Sequence, residues 1–501
     1  MDKQMNLLDI DVKEAALGFG DDEWDPPSSF PDLTGYDRIA IDLETRDPNL
    51  MKLGPGWCRD DGYVIGYAVA AGDFVGYYPV RHEDGNLPEK LVVNWLKKQM
   101  ATPKIEKVMH NAMYDLGWMR WAGIEVQGPI IDTMIAAPLL NENRRYYNLN
   151  SLTGEYLGEY KNEKMLKAAA AMYHVDPKSD MWRLPSKFVG SYAEQDAAVT
   201  LRLWDRLRVD IKQDEVTSIF QLESSLLPVL LEMKTKGVRV DTDGAEQIQI
   251  ELSKREKELL KEIRSDTGVS IEPWSAASVA KAFDALGLKY HRTENSNAPS
   301  FTKQFLSNHT HPIAQKIVKL REFNKANTTF VETILEHSCN GRIHCDFNPL
   351  RSDEGGTVTG RFSSSNPNLQ QIPARDPEIK SMIRGLFIPE EGTKWGSFDY
   401  ASQEPRWLAH YCAQLTGVHR HPQIDSVIDM YQQGNADFHQ MVADLADITR
   451  KEAKTVNLGI MYGMGRKKLA GVMDIDEMEA KSLLEKYHER VPFVKGIADL
   501  A

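Results

Sequence analysis

The octapeptide RIAIDLET, residues 38–45, limits what this chain can fold into more than any other stretch. Its aliphatic texture reads as a β-strand, and strand alternation then places Asp42 and Glu44 on one face. Unpaired buried charge is expensive, so an apolar strand excludes two carboxylates unless something compensates them. A metal ion is one of the few compensations that fits. The sheet holding this strand must therefore bring other cation-sharing groups to the same face.

Such groups follow in order. In HNAMYDLGWM, Asn111 and Asp115 have the spacing that shares one face of a helix, and in SYAEQDAAV Tyr192 and Asp196 repeat it. Singly each pattern is weak, since a solitary DxE is solvated surface in most sequences. Together, within one region of alternating strands and helices, four carboxylates and a tyrosine can cradle two hard cations of the Mg²⁺ or Mn²⁺ kind. Asp132, in PIIDTMIAA, ranks below those four because a helix N-cap explains it about as well.

Composition sets the outer bounds. At 501 residues and 42% hydrophobic content, the chain holds more than one domain of an ordinary soluble kind. No apolar run reaches bilayer length, and MDKQMNLLDIDVKEAALGFG lacks the layout of a secretory signal. Cys58, Cys339, Cys345 and Cys412 lack metal-ligand spacing and read as reduced cytosolic thiols. A net charge of −13 argues against a general polyanion coat, so any nucleic-acid contact must come from locally clustered cations.

Residues 1–35 form an acidic, proline-rich leader expected to be flexible. Residues 36–212 alternate strands and helices as an α/β domain. Residues 213–340 are helix-rich, with charged amphipathic runs such as ELSKREKELLKEIRSDTG. Within 341–415, RIHCDFNPL and KWGSFDY read as strands around TGRFSSSNPNLQQIP, and helices dominate 416–501.

A second constellation lies in RKEAKTVNLGIMYGMG, residues 450–465, where Arg450, Lys454, Leu458 and Tyr462 recur every four positions as one helical stripe. Its first half suits paired phosphate contacts and its second half a base and sugar. A basic helix face is usually solvated surface; the apolar Val456, Leu458 and Ile460 and the Gly463 and Gly465 ending favour a shaped pocket. Upstream, Asp399 in KWGSFDYASQEPRW reads as a metal ligand at a strand end, with a helix N-cap as the plainer alternative.

IDLET, HNAMYD and YAEQD resemble the three motifs of the DEDD-type 3′→5′ proofreading exonucleases in their tyrosine variant. FDYASQEPR and RKEAKTVNLGIMYG resemble motifs A and B of the family A DNA polymerases, those similar to bacterial DNA polymerase I. TGRFSSSNPNLQQIPARD, LLEMKTKGVRVD and DFHQMVA are similar to further segments of that family, and the wording DYASQEPR is phage-like. The resemblance implies a ribonuclease-H-like α/β exonuclease domain at 36–212, then a mixed α+β polymerase domain. That second domain would comprise a thumb (213–340), a partial palm (341–415) and partial fingers (416–501). It implies that Asp42, Glu44, Asp115 and Asp196 hold two Mg²⁺ or Mn²⁺ ions while Tyr192 orients water. Asp399 and the Tyr400 carbonyl would bind the polymerase metals, and Glu404 would pack under the sugar. His439, Arg450 and Lys454 would hold a dNTP triphosphate, with Leu458 and Tyr462 beside the base and template. Arg361, Asn368, Gln370 and Arg375 would touch the DNA primer–template, and the run KIVKLREFNK (316–325) would track its backbone. At 458 the family usually places an aromatic ring, so Leu458 removes stacking area. Proofreading would act on a single-stranded 3′ end, with the protein in the cytoplasm, the host's if it is viral.

The family's third polymerase motif, a His-Asp pair, does not follow Tyr462; His488 and Glu489 read as surface residues of a helix. The expectation is an N-terminal portion of a polymerase, whole or split, that needs a C-terminal partner chain for synthesis. A stand-alone exonuclease or DNA-binding subunit is the alternative.

Overall fold

Strand β1 (Arg38–Arg46) is the middle strand of a five-stranded sheet. The computed structural model describes residues 24–374, 376–434, 437–446, 448–473 and 475–498. The chain divides into two compact units, with the boundary in sequence between Lys394 and Trp395.

In the first unit, β1 pairs antiparallel with β2 (Tyr63–Ala71), which pairs antiparallel with β3 (Phe74–Pro79). On its other side β1 runs parallel to β4 (Glu106–Met109), and β4 parallel to β5 (Ile130–Asp132). Helices α1 (Glu89–Met100), α2 (Ala112–Trp121), α3 (Thr133–Leu140), α4 (Leu149–Tyr156), α5 (Lys164–Tyr173) and α6 (Gly190–Gln213) complete this layer. Alternation along β1 sends Ile39, Ile41 and Leu43 into the core on one side. On the other, α6 packs over β1, β2 and β3 through buried Ala193, Ala197 and Thr200.

Gly66 of β2 lies opposite Glu44, and a Cβ there would sit 2.1 Å from the Tyr77 hydroxyl. Glycine thus admits the Tyr77 ring against β1. The Tyr77 hydroxyl meets His82 Nε2 at 2.7 Å, and His82 Nδ1 meets the Leu184 carbonyl at 2.9 Å. Because a carbonyl only accepts, Nδ1 carries the proton and Tyr77 donates to Nε2.

The described part of the leader, residues 24–35, is packed where a flexible entry is expected. Residues 1–23 lie outside the described residues, whereas Trp24 packs on Tyr77 at 5.9 Å and Phe30 stacks on Tyr78 at 5.5 Å. The Leu33 amide donates to Gln99 Oε1 and the Trp95 indole to the Pro31 carbonyl. The aromatic rings, not the acids and prolines, decide this stretch, because apolar area removed from water offsets the ordering entropy.

The core also runs past residue 212. Helix α7 (Thr217–Lys236) adds Phe220, stacked on Trp204 at 5.0 Å, and buried Leu227. Beyond it, α8 (Thr242–Thr267), α9 (Ala276–Ala285) and α10 (Pro312–Lys325) enclose Ile263, Phe283, Ile317 and Leu320. The basic run 316–325 does not form the open positive patch expected of it. Lys316 pairs with Glu262 at 2.9 Å and Asp266 at 2.8 Å, and Lys319 with Asp376 at 3.4 Å. Arg321 donates to the Pro273 and Phe301 carbonyls. Local acids and carbonyls spend these cations on holding helices together.

Two short ladders follow: Val238–Arg239, Arg342–Ile343 and Ser338–Cys339 form one, and Asp346–Asn348 with Ser363–Ser365 the other. The connection between the last two strands reaches back to the first sheet's helices. The Asp353 carboxylate accepts from the Tyr147 and Asn148 amides at 2.7 and 2.9 Å, and Glu354 Oε1 from Asn111 Nδ2 at 2.8 Å. Beneath, the buried Lys234 ammonium pairs with Asp346.

The second unit is helical: α11 (Gln403–Gln414), α12 (Gln423–Gln432), α13 (Phe438–Ala446), α14 (Arg450–Met461), α15 (Arg466–Met473), α16 (Glu477–Arg490) and α17 (Phe493–Ala498). They close over Cys412, Ile424, Phe438, Val456, Leu469, Tyr487 and Phe493. KWGSFDY, expected as a strand, is irregular and solvent-facing, with Phe398 97% exposed. A strand needs a second strand beside it, and among the described residues no strand pairs with this segment.

Burial holds the His82 ring down at about 4, so its neutral form is the one that fits the fold. Its contribution is complete above the ordinary imidazole value and is lost as pH falls from there towards 4. Between pH 7 and pH 5 the wild-type unfolding free energy should drop by about 2 kcal/mol more than that of His82→Gln, read from denaturant melts.

Candidate functional site

Carboxylate oxygens of Asp42, Glu44 and Asp196 lie within 4.8 Å of one another. Strand β1 supplies the first two from one face, and α6, crossing that face, supplies the third. Ordinary carboxylates so placed repel, and burial penalises their charge further. Burial first, then the neighbouring acids, push Asp42 and Glu44 up from the usual carboxylate range. Burial likewise raises Asp196, against the pull of Lys161.

Asp115, from the first turn of α2, is buried beside this cluster and is held well above its ordinary value by burial, then by Asp42, Asp132 and Glu44. Its placement depends on Asp132, whose carboxylate accepts from the Asn111, Ala112 and Met134 amides at 3.0, 2.8 and 2.8 Å. One buried acid thus caps α3 and clamps the start of α2, with Asn111 in the left-handed region at φ 74°. The N-cap reading of Asp132 is the one its geometry supports.

Tyr192 sits one turn before Asp196 on α6, and burial, then Glu44, Asp196 and Asp42, raise its hydroxyl so that it stays protonated. A residue that carried no mark in the sequence completes the site. Lys161 Nζ lies 2.5 Å from Asp196 Oδ2 and 5.4 Å from the Tyr192 ring centre. In GEYKNEKMLK it is one of three lysines, with Lys164 and Lys167, and nothing in their spacing marks it out, so only the fold singles it out.

The donor set fits hard divalent cations: oxygen ligands only, crowded and under-compensated, with the buried Asp196 Oδ1 lacking any hydrogen-bond partner. Among the described residues this is the one such group of metal-competent side chains, and Asp399 is not part of it. Asp399 and Tyr400 lie on the exposed irregular segment before α11, and Glu404 is in the first turn of α11.

In the second unit, α14 begins with a capping box between Thr449 and Glu452, which fixes the helix start. Arg450 and Lys454 face solvent, Leu458 is half-buried, and Tyr462 is 64% exposed at the C-cap, while Ala453, Val456 and Asn457 pack inwards. The stripe is therefore accessible along its length. Asp437 Oδ2 orients Arg450 through Nε at 2.7 Å. His439 is buried, with its Nδ1 3.0 Å from Asn457 Nδ2. Burial lowers its ring, as do Arg450 and Lys454, while Asp437 and Glu404 oppose them, so these groups share one neighbourhood. Arg361, Asn368 and Gln370 are exposed around the Ser363–Ser365 strand, and Gln370 Nε2 donates to the Phe362 carbonyl at 3.0 Å. Arg375 lies outside the described residues.

The 3′-5′ exonuclease family matches residues 29–212, and DNA polymerase family A matches residues 242–499. The chain is 36% identical to a DNA-directed DNA polymerase of Pseudomonas phage M6, covering 95% of this chain and 80% of that protein. It is 30% identical to DNA polymerase DpoZ of Acinetobacter phage SH-Ab 15497, over 94% of this chain and 80% of that one. Its fold is similar to the POL domain of Pol1 from M. smegmatis, solved in complex with DNA primer-template and dNTP. That likeness has a TM-score of 0.73 at 23% identity, over 95% of this chain and 78% of that one. With both regions matched, neither a stand-alone exonuclease nor a bare DNA-binding subunit is favoured. Raised acids on a central strand and a cationic helix stripe thus belong to one chain of known kind: it is a member of the family A DNA polymerases, a DNA-directed DNA polymerase that carries a 3′-5′ exonuclease domain.

Proposed function

We propose that the exonuclease site removes nucleotides from a single-stranded 3′ end with Asp42, Glu44, Asp115 and Asp196 as ligands of two Mg²⁺ or Mn²⁺ ions. The observation that carries this is the convergence of Asp42, Glu44 and Asp196 within 4.8 Å beside Tyr192. When bound, such cations supply the positive charge that activates water and stabilises a leaving oxyanion. Tyr192, kept protonated, orients the attacking water by hydrogen bonding.

For synthesis, the reading takes DNA primer–template and dNTPs as substrates. Arg450, Lys454 and His439 grip the triphosphate, the guanidinium of Arg450 being set by Asp437. Leu458 and Tyr462 meet the base and the template, and Glu404 lies under the sugar. Asp399 and the Tyr400 carbonyl hold the polymerase metals. Arg361, Asn368, Gln370 and Arg375 touch the duplex from the minor-groove side, where readout is nearly independent of sequence. The solvent-facing stripe of Arg450 and Lys454 on α14 supports this half. No helix among the described residues is long and apolar enough to cross a membrane, and the reading places the protein in the host cytoplasm.

Asp42→Ala should lower Mg²⁺-dependent shortening of a labelled single-stranded oligonucleotide by about a thousandfold or more, and EDTA should abolish the wild-type reaction. Retained shortening by Asp42→Ala would reject the assignment. Lys454→Ala should weaken dNTP binding by about ten- to a hundredfold, the range of a lost charged hydrogen bond, measured by equilibrium titration with a fluorescent dNTP.

A further inference from the structure

The placement of Lys161 is built rather than incidental. Its own backbone amide donates to Asn150 Oδ1 at 2.9 Å, and the next amide, of Asn162, donates to Gln195 Oε1 at 2.8 Å. Gln195 is the neighbour of Asp196 on α6, and its Nε2 reaches back to the Tyr160 carbonyl at 3.4 Å. Two residues earlier, Glu159 pairs with Arg202 at 2.5 Å, nearly two turns beyond Gln195 on the same helix. Tyr160 closes over Gly154, where a Cβ would meet its ring at 2.5 Å. Residues 159–162 are thus fastened to α4 and α6 on both sides of Lys161, and the fastening aims one ammonium at the acids.

What the ammonium meets is an under-compensated negative cluster. Lys161 is 17% exposed and its partner Asp196 3%, so solvent screens the pair weakly. The Lys161 ammonium lies 2.5 Å from Asp196 Oδ2 and 5.4 Å from the Tyr192 ring centre, against the same cluster that holds Asp42 and Glu44. A second cation brought to the same carboxylates must displace this one or sit beside it.

We propose that Lys161 is a resident cation of the exonuclease site: it neutralises the carboxylate cluster when no metal is bound and competes with divalent metal for Asp196. It is a positioning residue that sets the metal affinity of the site, weaker than four acids alone would give, and it spares the metal-free domain the repulsion among them. This rests on the reading of the cluster as a metal site. A test on the full chain uses Mn²⁺ alone as the probe, titrated calorimetrically into metal-free protein, with Asp42→Ala marking which isotherm belongs to this site. Lys161→Met, which keeps the length and removes the charge, should bind Mn²⁺ at that site about tenfold or more tightly, whereas Lys161→Arg should stay near wild type. Unchanged or weaker Mn²⁺ binding by Lys161→Met overturns the proposal. Lys161→Gln repeats the measurement if the methionine variant does not fold, with the same two outcomes. Should Asp42→Ala leave every Mn²⁺ isotherm intact, the metal-site reading itself fails; should it remove one that Lys161→Met does not tighten, only the role of Lys161 fails.

Discussion

Crowded carboxylates, penalised first by burial and then by one another, constrain the first unit. Asp42, Glu44 and Asp196 are brought close by two elements that are rigid for unrelated reasons, a central strand and a long helix packed across it. Neither can yield: β1 is hydrogen-bonded on both edges, and α6 buries a whole face. The like charges are held together by hydrophobic packing elsewhere, which is how a fold stores a demand for cations. Gly66, the Tyr77–His82–Leu184 relay and the Asp132 clamp all keep that geometry from relaxing.

The second unit solves a different problem. Its helix α14 presents charge outwards from a packed underside, so the stripe of Arg450 and Lys454 meets no repulsion that needs internal relief. Preorganisation is local there: a capping box fixes the helix start and Asp437 fixes one guanidinium. An anion from solution suits such a face, because the approach is open and the donors are already aimed. The contrast matches the chemistry of the family, in which a transient nucleotide must arrive and leave at every turnover while the editing acids stay in place.

Much of this was legible in the primary structure, and the illegible parts share a cause. The strand β1, the helices bearing Asp115 and Asp196, and the periodic stripe of α14 follow from short-range periodicity, which a single segment carries by itself. KWGSFDY failed because strandness is a property of pairs, and its own alternation could not supply a partner. The leader failed in the opposite direction: Trp24 and Phe30 find rings on β3 and α1 that only the fold brings near. The basic run 316–325 misled because a cation's role depends on the acids around it, and Glu262, Asp266 and Asp376 lie far away along the chain. Lys161 was invisible for the same reason.

The hooks at Asp353 and Glu354, together with Phe220 and Leu227, bear on how such a polymerase can be inherited. They join the editing half to segments that lie well downstream of its last motif. A recombination joint placed just after residue 212 would strip the donor's module of two core side chains and leave the Tyr147 and Asn148 amides, at the entry to α4, without their acceptor. Exchange among related polymerase genes would then favour crossovers that move α7 and the 346–354 segment along with the nuclease, so that proofreading and copying descend as one linked block rather than as interchangeable parts.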